Sequence, residues 1–244
     1  MVVELGGLPV EPDVSQGVWI SSARRRGEQG TVAAHVPALF EASARVLHPA
    51  VRYAGDDDVE VPWTDVGAHN GTAVHPLVPW VALTNGPVDS QPPVWDDGPS
   101  EGHLPVPLAR RLAAVLARHT ATPDSCLFGR WDGFGYDLKT PDVPPRLLLR
   151  GGSDVVLVRG TVADAVRNLA PEPWEQSANL WWPDDRAWCV DTDIDLRSTY
   201  VGGSAACIAE LLADEELETA PAQPGQRVTW DADQVNPPPA DAPD

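Results

Sequence analysis

The chain has 244 residues and a formal charge of −19, from 36 acidic and 17 basic side chains. That length suits one domain with extensions, and a hydrophobic share of 43% excludes wholesale disorder. The acidic balance argues against DNA, RNA or anionic lipid as a main partner, because phosphate binding relies on clustered Lys and Arg. No run approaches the ~18 apolar residues of a membrane span, and the N-terminus lacks the basic-then-apolar layout of a secretion signal. Cys126, Cys189 and Cys207 are odd in number, lack C-x-x-C spacing and sit beside apolar residues. They read as buried reduced thiols, and the expected location is cytoplasmic.

Residues 1–30, rich in Gly, Pro and polar groups, read as a loose arm with one short strand at Gly17–Ser21. The run Arg24, Arg25, Arg26 within it reads as solvated charge that pairs with the protein's own acidic surface. Pro37 to Leu47 predicts a helix, with Pro37 at its first position, Val36, Phe40, Ala44 and Leu47 as one stripe, and Pro49 as the stop. AlaGlyAspAspAsp at 54–58 is a polar turn. From 60 to 103 isolated prolines forbid long regular elements, so the segment is expected to be irregular and packed down by Trp63, Trp80 and Trp95. His69 and His75, six residues apart, match no compact ligand motif.

Pro107 to His119 is the clearest helix, with Leu108, Leu112, Val115 and Leu116 on one face and Arg110, Arg111 and Arg118 turned away. Cys126 to Asp132 reads as a core strand. Residues 146–150 and 154–159 are two β-rich runs joined by GlyGlySer, a hairpin signal. Thr161 and Asp164 have capping-box spacing and open a helix with Val162, Ala165, Val166 and Leu169 inward, closed by Pro171. Over 187–196 the chain alternates as a strand does, with Trp188, Val190, Thr192, Ile194 and Leu196 on one face. Cys189, Asp191, Asp193 and Asp195 fall on the other. Ser204 can cap a last helix with Ile208, Leu211 and Leu212 inward. From 214 to 244 there are eight acids and one Arg among many prolines, a composition that predicts a disordered tail.

Together these elements define an α+β fold: an antiparallel or mixed sheet packed by about four short helices, with flexible N- and C-terminal extensions. The expected organisation is an arm over 1–30, a single domain over 31–217, and a Pro/Asp-rich tail over 218–244.

The segments GlyThrValAlaAlaHisValPro (30–37), PheGluAlaSerAlaArgValLeuHisPro (40–49), ValLeuAlaArgHisThrAlaThrProAsp (115–124) and PheGlyArgTrpAspGlyPheGly (128–135) recur with a long motif. That motif, at 179–204, runs from AsnLeuTrpTrpPro through TrpCysValAspThrAspIleAsp to SerThrTyrValGlyGlySer. In this order they resemble an uncharacterised family from GC-rich actinobacterial genomes, to which no activity is attached. The resemblance implies that 30–217 is one unit and that both ends are appendages.

Two constellations bear on chemistry. Asp191, Asp193 and Asp195, about 6.8 Å apart along one strand face, read as the solvated side of a half-buried strand, with a cation site as the alternative. A calcium loop fails, because Leu196 stands where Gly is needed and Gly202 where the closing Glu is needed. The second constellation is Trp181, Trp182, Asp184, Asp185 and Arg186, with Trp131, Asp132 and Tyr200. It reads either as a pocket for a sugar, a cationic group or a peptide, or as the closure of a core with Arg186 paired to a neighbouring Asp. No HExxH, G-x-S-x-G, Walker or dinucleotide fingerprint occurs. GlyGlySer at 202–204 is a weak anion-binding signal, and a His119–Cys126 pair would need spatial proximity. The expectation is a non-enzymatic binding protein with an unknown, basic protein partner, a class that includes immunity-type proteins. No catalytic, metal-ligating or cofactor-binding residue is assigned. The alternative is a small-molecule binder or hydrolase using the Asp stripe and a Trp-lined pocket.

Overall fold

The computed structural model describes residues 3–24, 28–55, 57–135, 144–149 and 154–238. The chain opens with β1 (Glu4–Leu5) and β2 (Leu8–Pro9), a short antiparallel pair, and then a 3-10 turn capped by the Asp13 carboxylate. That turn runs directly into α1 (Val18–Arg24). The strand expected at Gly17–Ser21 is therefore helical. The stretch expected as a loose arm is docked, with Ile20 fully buried and Glu11 ion-paired to Arg159.

β3 (Ala42–Leu47) replaces the helix expected over Pro37–Leu47. The chain turns at Pro37, and Val36 and Phe40 do point inward, but onto Gly202 of a neighbouring strand, where a Cβ would collide with both. A strand buried on both faces loses the period-2 signal, and its Ala-rich composition mimics a helix. β4 (Ala50–Ala54) and β5 (Asp57–Val61) then form a hairpin outside the main sheet with Gly55 in its turn, so Ala54, Asp57 and Asp58 of the polar turn expected at 54–58 are paired strand residues. Asp56 lies outside the described residues.

The Pro-rich region contains α2 (Trp63–Asn70) and α3 (Trp80–Leu83). As expected, tryptophans pack it: Trp63, Trp80 and Trp95 meet edge to face at 5.2 and 5.3 Å and centre a separate apolar cluster.

α4 (Val106–Leu116) buries Leu108, Leu112, Val115 and Leu116 as the periodicity requires, and a 3-10 turn extends it to His119. β6 (Cys126–Trp131), β7 (Arg146–Leu147) and β8 (Val155–Gly160) follow, and β7–β8 is the expected hairpin. Its GlyGlySer loop lies outside the described residues, as do Arg25, Arg26 and 239–244. The Thr161–Asp164 capping box is present and opens a 3-10 helix.

Of the strand expected over 187–196 only β10 (Cys189–Asp191) forms; β9 (Leu180–Pro183) precedes it, and the turn between them holds Arg186 at φ 58°. After β10 the chain leaves the sheet and returns as β11 (Ser198–Gly203), all of it buried. Ser204 caps α5 (Ala205–Leu212), which buries Ile208 and Leu211 but leaves Leu212 38% exposed. β12 (Thr219–Ala222), in the stretch expected as a disordered tail, pairs with β3.

The main sheet has eight strands in the order β12-β3-β11-β10-β9-β6-β8-β7, every pair antiparallel. The fold is α+β. Alternation along the strands divides the core between two faces. Phe128, Val156, Val158, Trp181 and Val190 pack under α4 and α5. Leu127, Val155, Leu157, Leu180, Trp182 and Cys189 pack under Ile20 of α1. The sheet is covered on both sides.

His48, at the end of β3, is fully buried between the Ser100 carbonyl (2.8 Å) and Thr199 Oγ1 (2.9 Å), and Thr199 continues to Thr192 Oγ1 at 2.7 Å. Burial drives its pKa down to about 4. The unfolded chain therefore binds a proton between pH ~6.5 and 4 that the folded chain refuses, and stability falls as pH drops through that window. The loss is expected to be of order 3 kcal/mol. Urea melts from pH 7 to 4 check this, and His48→Gln is expected to flatten the slope. Burial also lowers His103, which leaves a smaller residual slope in that variant.

Candidate functional site

Four segments distant in sequence meet beside β10. α1 delivers Arg24, the 3-10 turn at Val32–Ala34 delivers His35, β10 and the turn after it deliver Asp191 and Asp193, and β11 delivers Tyr200. Arg24 Nη2 lies 2.6 Å from Asp191 Oδ1, and His35 Nδ1 lies 3.0 Å from Asp191 Oδ2 and 3.5 Å from Asp193 Oδ2. The His35 ring stacks on Tyr200 at 5.7 Å. Burial alone would push the Asp191 carboxyl up, but Arg24 and His35 outweigh it and hold it below the ordinary carboxylate value. Asp193 goes the other way, pushed up by burial and then by repulsion from Asp191.

This overturns the expected solvated Asp stripe. The alternation is right over 188–191, with Trp188 and Val190 on one face and Cys189 and Asp191 on the other. That second face is covered by α1, so Asp191 is entombed rather than solvated. Beyond Asp191 the strand ends, and Asp193 and Asp195 stand on a turn, with only Asp195 exposed.

The Trp/Asp/Arg constellation is dispersed by its packing. Trp181 and Trp182 are buried on opposite faces of the sheet, which is the core-closure alternative. Asp184 accepts from Ser125 Oγ and pairs with Arg159; Asp185 accepts from Thr120 Oγ1 and the Ala121 N–H. Arg186 pairs with neither and lies over the Trp19 ring at 5.6 Å. Asp132 is bound to Arg146, Trp131 meets Phe134 edge to face, and Tyr200 is buried.

The remaining signals resolve by contact. The helix N-terminus after GlyGlySer is satisfied by the chain's own Glu41, which accepts from the Ala205 N–H at 2.8 Å. His119 bonds Glu210 rather than Cys126, whose thiol is pushed well up by burial. Cys189 is pushed to about 12 and Cys207 to about 11, so all three buried cysteines are poor nucleophiles.

A second locus is a cleft of about 430 Å³ whose walls include Arg45, Trp63, Trp80, Asp89, Asp195 and Trp230. Arg45 lies over Trp63 at 5.2 Å and donates to Ser198 Oγ and to the carbonyls of Pro76 and Val78. Arg197, also in the wall, is held by Glu101 and the Pro99 carbonyl. Both guanidinium groups are thus engaged internally. Asp89 and Asp195 have no ion-pair partner among the described residues, and Trp230 is 49% exposed.

Sequence reasoning assigned no role to His35 or Trp230. No local pattern marks either, since each acquires its setting only through chain reversals.

Comparison of the chain with protein-family models, with curated proteins and with solved structures gives no match. Among the described residues, no helix is long and apolar enough to cross a membrane.

Proposed function

We propose that the protein is a non-enzymatic binding protein whose cleft receives a cationic group, such as an Arg or Lys side chain presented by a basic partner. The observation that carries this reading is the charge inventory of the cleft. Arg197 is paired with Glu101 and Arg45 is turned onto neutral acceptors inside the fold, while Asp89, Asp195 and the half-exposed Trp230 remain available, so unpaired carboxylates outnumber unpaired cations two to one among these groups. A cation over an indole face beside carboxylates gains both cation–π and Coulomb attraction, and about 430 Å³ is the size of a small-ligand site.

The surroundings reinforce it. Asp97 holds the exposed hairpin through Tyr53, and the next residue, Gly98, lines the cleft. Asp57, Asp58 and Glu60 on that hairpin are exposed, and such acidic surface favours the approach of a basic partner. Three buried unpaired cysteines support a cytosolic location. An immunity-type, partner-neutralising role belongs to this class. The hydrolase alternative loses its premise, because the three aspartates do not share a strand face.

Arginine amide and an Arg-rich peptide test the reading through indole fluorescence. Saturable binding that weakens with salt is expected, and Trp230→Ala or Asp195→Asn should reduce affinity by about 0.5–2 kcal/mol, a two- to thirty-fold loss. Both residues are exposed, so unfolding free energy should stay within about 0.5 kcal/mol. Equal binding of acetylglutamate, or a response to neutral sugars alone, would sink the cationic reading.

A further inference from the structure

We propose that His35, Asp191 and Asp193 form a binding site for a divalent cation of the zinc class, independent of the cleft.

The donor set carries the argument first. One ligand atom from each of the three side chains lies within 4.8 Å of the others. The His35 Nδ1 separations, 3.0 Å to Asp191 and 3.5 Å to Asp193, bracket the low side of the edge of a tetrahedron. Bonds of about 2.0–2.2 Å give an edge of about 3.3–3.6 Å. One imidazole nitrogen with two carboxylate oxygens is a borderline donor set, suited to zinc and its first-row neighbours rather than to calcium or magnesium, which take oxygen alone. Three protein donors leave a position for water.

A second observation is independent of the donors. Beside the two carboxylates, a small, partly open pocket of about 20 Å³ is lined by Arg24, Asp191, Thr192 and Asp193, though not by His35, and has room for a single water molecule. The Arg24 side chain on its wall is only 7% exposed, and its Nε has no hydrogen-bond partner. A buried N–H without an acceptor is rare, and a water carried by a cation on Asp191 and Asp193 would supply one. Arg24 Nη2 meanwhile sits on Asp191 Oδ1, so the other oxygen is the one offered to His35 and the ion. Such a partner fixes a ligand's orientation from outside the coordination sphere.

Charge points the same way. Two carboxylates face the Arg24 guanidinium, and among the described residues Asp193 has no ion-pair partner except His35. The pocket has no room for a substrate, so the ion's role is structural: it ties the His35 turn to the end of β10.

Chelator-treated protein titrated with ZnCl2 by calorimetry and thermal melting tests this. One-to-one saturable binding and a Tm rise of several degrees are expected for the native chain and for Asp195→Asn, which removes a nearby exposed acid. Asp193→Asn and His35→Gln should lose roughly tenfold or more in Zn²⁺ affinity. Asp193→Asn should fold without the metal at least as stably as the native chain, which separates ligand loss from misfolding. No saturable binding below ~100 μM Zn²⁺ (about 5.5 kcal/mol of binding free energy) would overturn the proposal. So would variants that bind like the native chain, or equal stabilisation by CaCl2.

Discussion

Asp191→Asn is expected to destabilise the fold by about 3–5 kcal/mol, because it strands the buried Arg24 guanidinium without its counter-charge. Replacing both partners, as Arg24→Met with Asp191→Leu, should cost much less than the sum of the single changes. Urea unfolding of the three variants at pH 7 measures both. The pH dependence has a definite sign. The folded carboxyl titrates below its unfolded value, so its contribution is present above pH ~3.9 and is lost as pH falls through the lower folded value. The penalty of Asp191→Asn should therefore shrink in strong acid.

Trp182→Ala should cost about 3–5 kcal/mol through lost burial and a cavity beneath α1. Trp182 is 1% exposed and meets Trp19 edge to face at 6.2 Å. Trp174, 59% exposed, is the control, and its replacement by Ala should stay within about 0.5 kcal/mol. Thermal melts of the pair distinguish an indole in the core from one on the surface. Loss of ligand binding with intact stability in Trp182→Ala would restore the surface pocket that its burial excludes.

The elements visible in the sequence were those whose signals are local. α4 shows because Leu108, Leu112 and Leu116 recur at helical spacing, the capping box because Thr161 and Asp164 are three apart, and α5 because Ser204 precedes an apolar run. Elements whose burial comes from distant partners were hidden. β3 and β11 lie inside the sheet, where both faces are covered and alternation vanishes. One misreading propagated. If 1–30 is a loose arm, nothing covers the second face of β10, and Asp191 faces water. Once α1 docks there, the same alternation delivers Asp191 to Arg24 and makes a site out of what looked like a solvated stripe. The tryptophan cluster at 181–188 is legible from the sequence as a core closure or as a pocket, and its burial on the two faces of the sheet selects the core. Its flanking acids find partners in Ser125, Arg159 and Thr120, which no spacing rule connects to them.

The two rims of the eight-stranded sheet differ from its interior in a way that matters for self-association. β12 carries Pro221, which has no N–H to offer an incoming strand, and at the opposite rim β7 is two residues long with Arg146 drawn aside to Asp132. A large antiparallel ladder is a template for fibril growth wherever its margins are long and regular. Here one margin is interrupted and the other truncated, so crowded copies of this chain have little to polymerise upon.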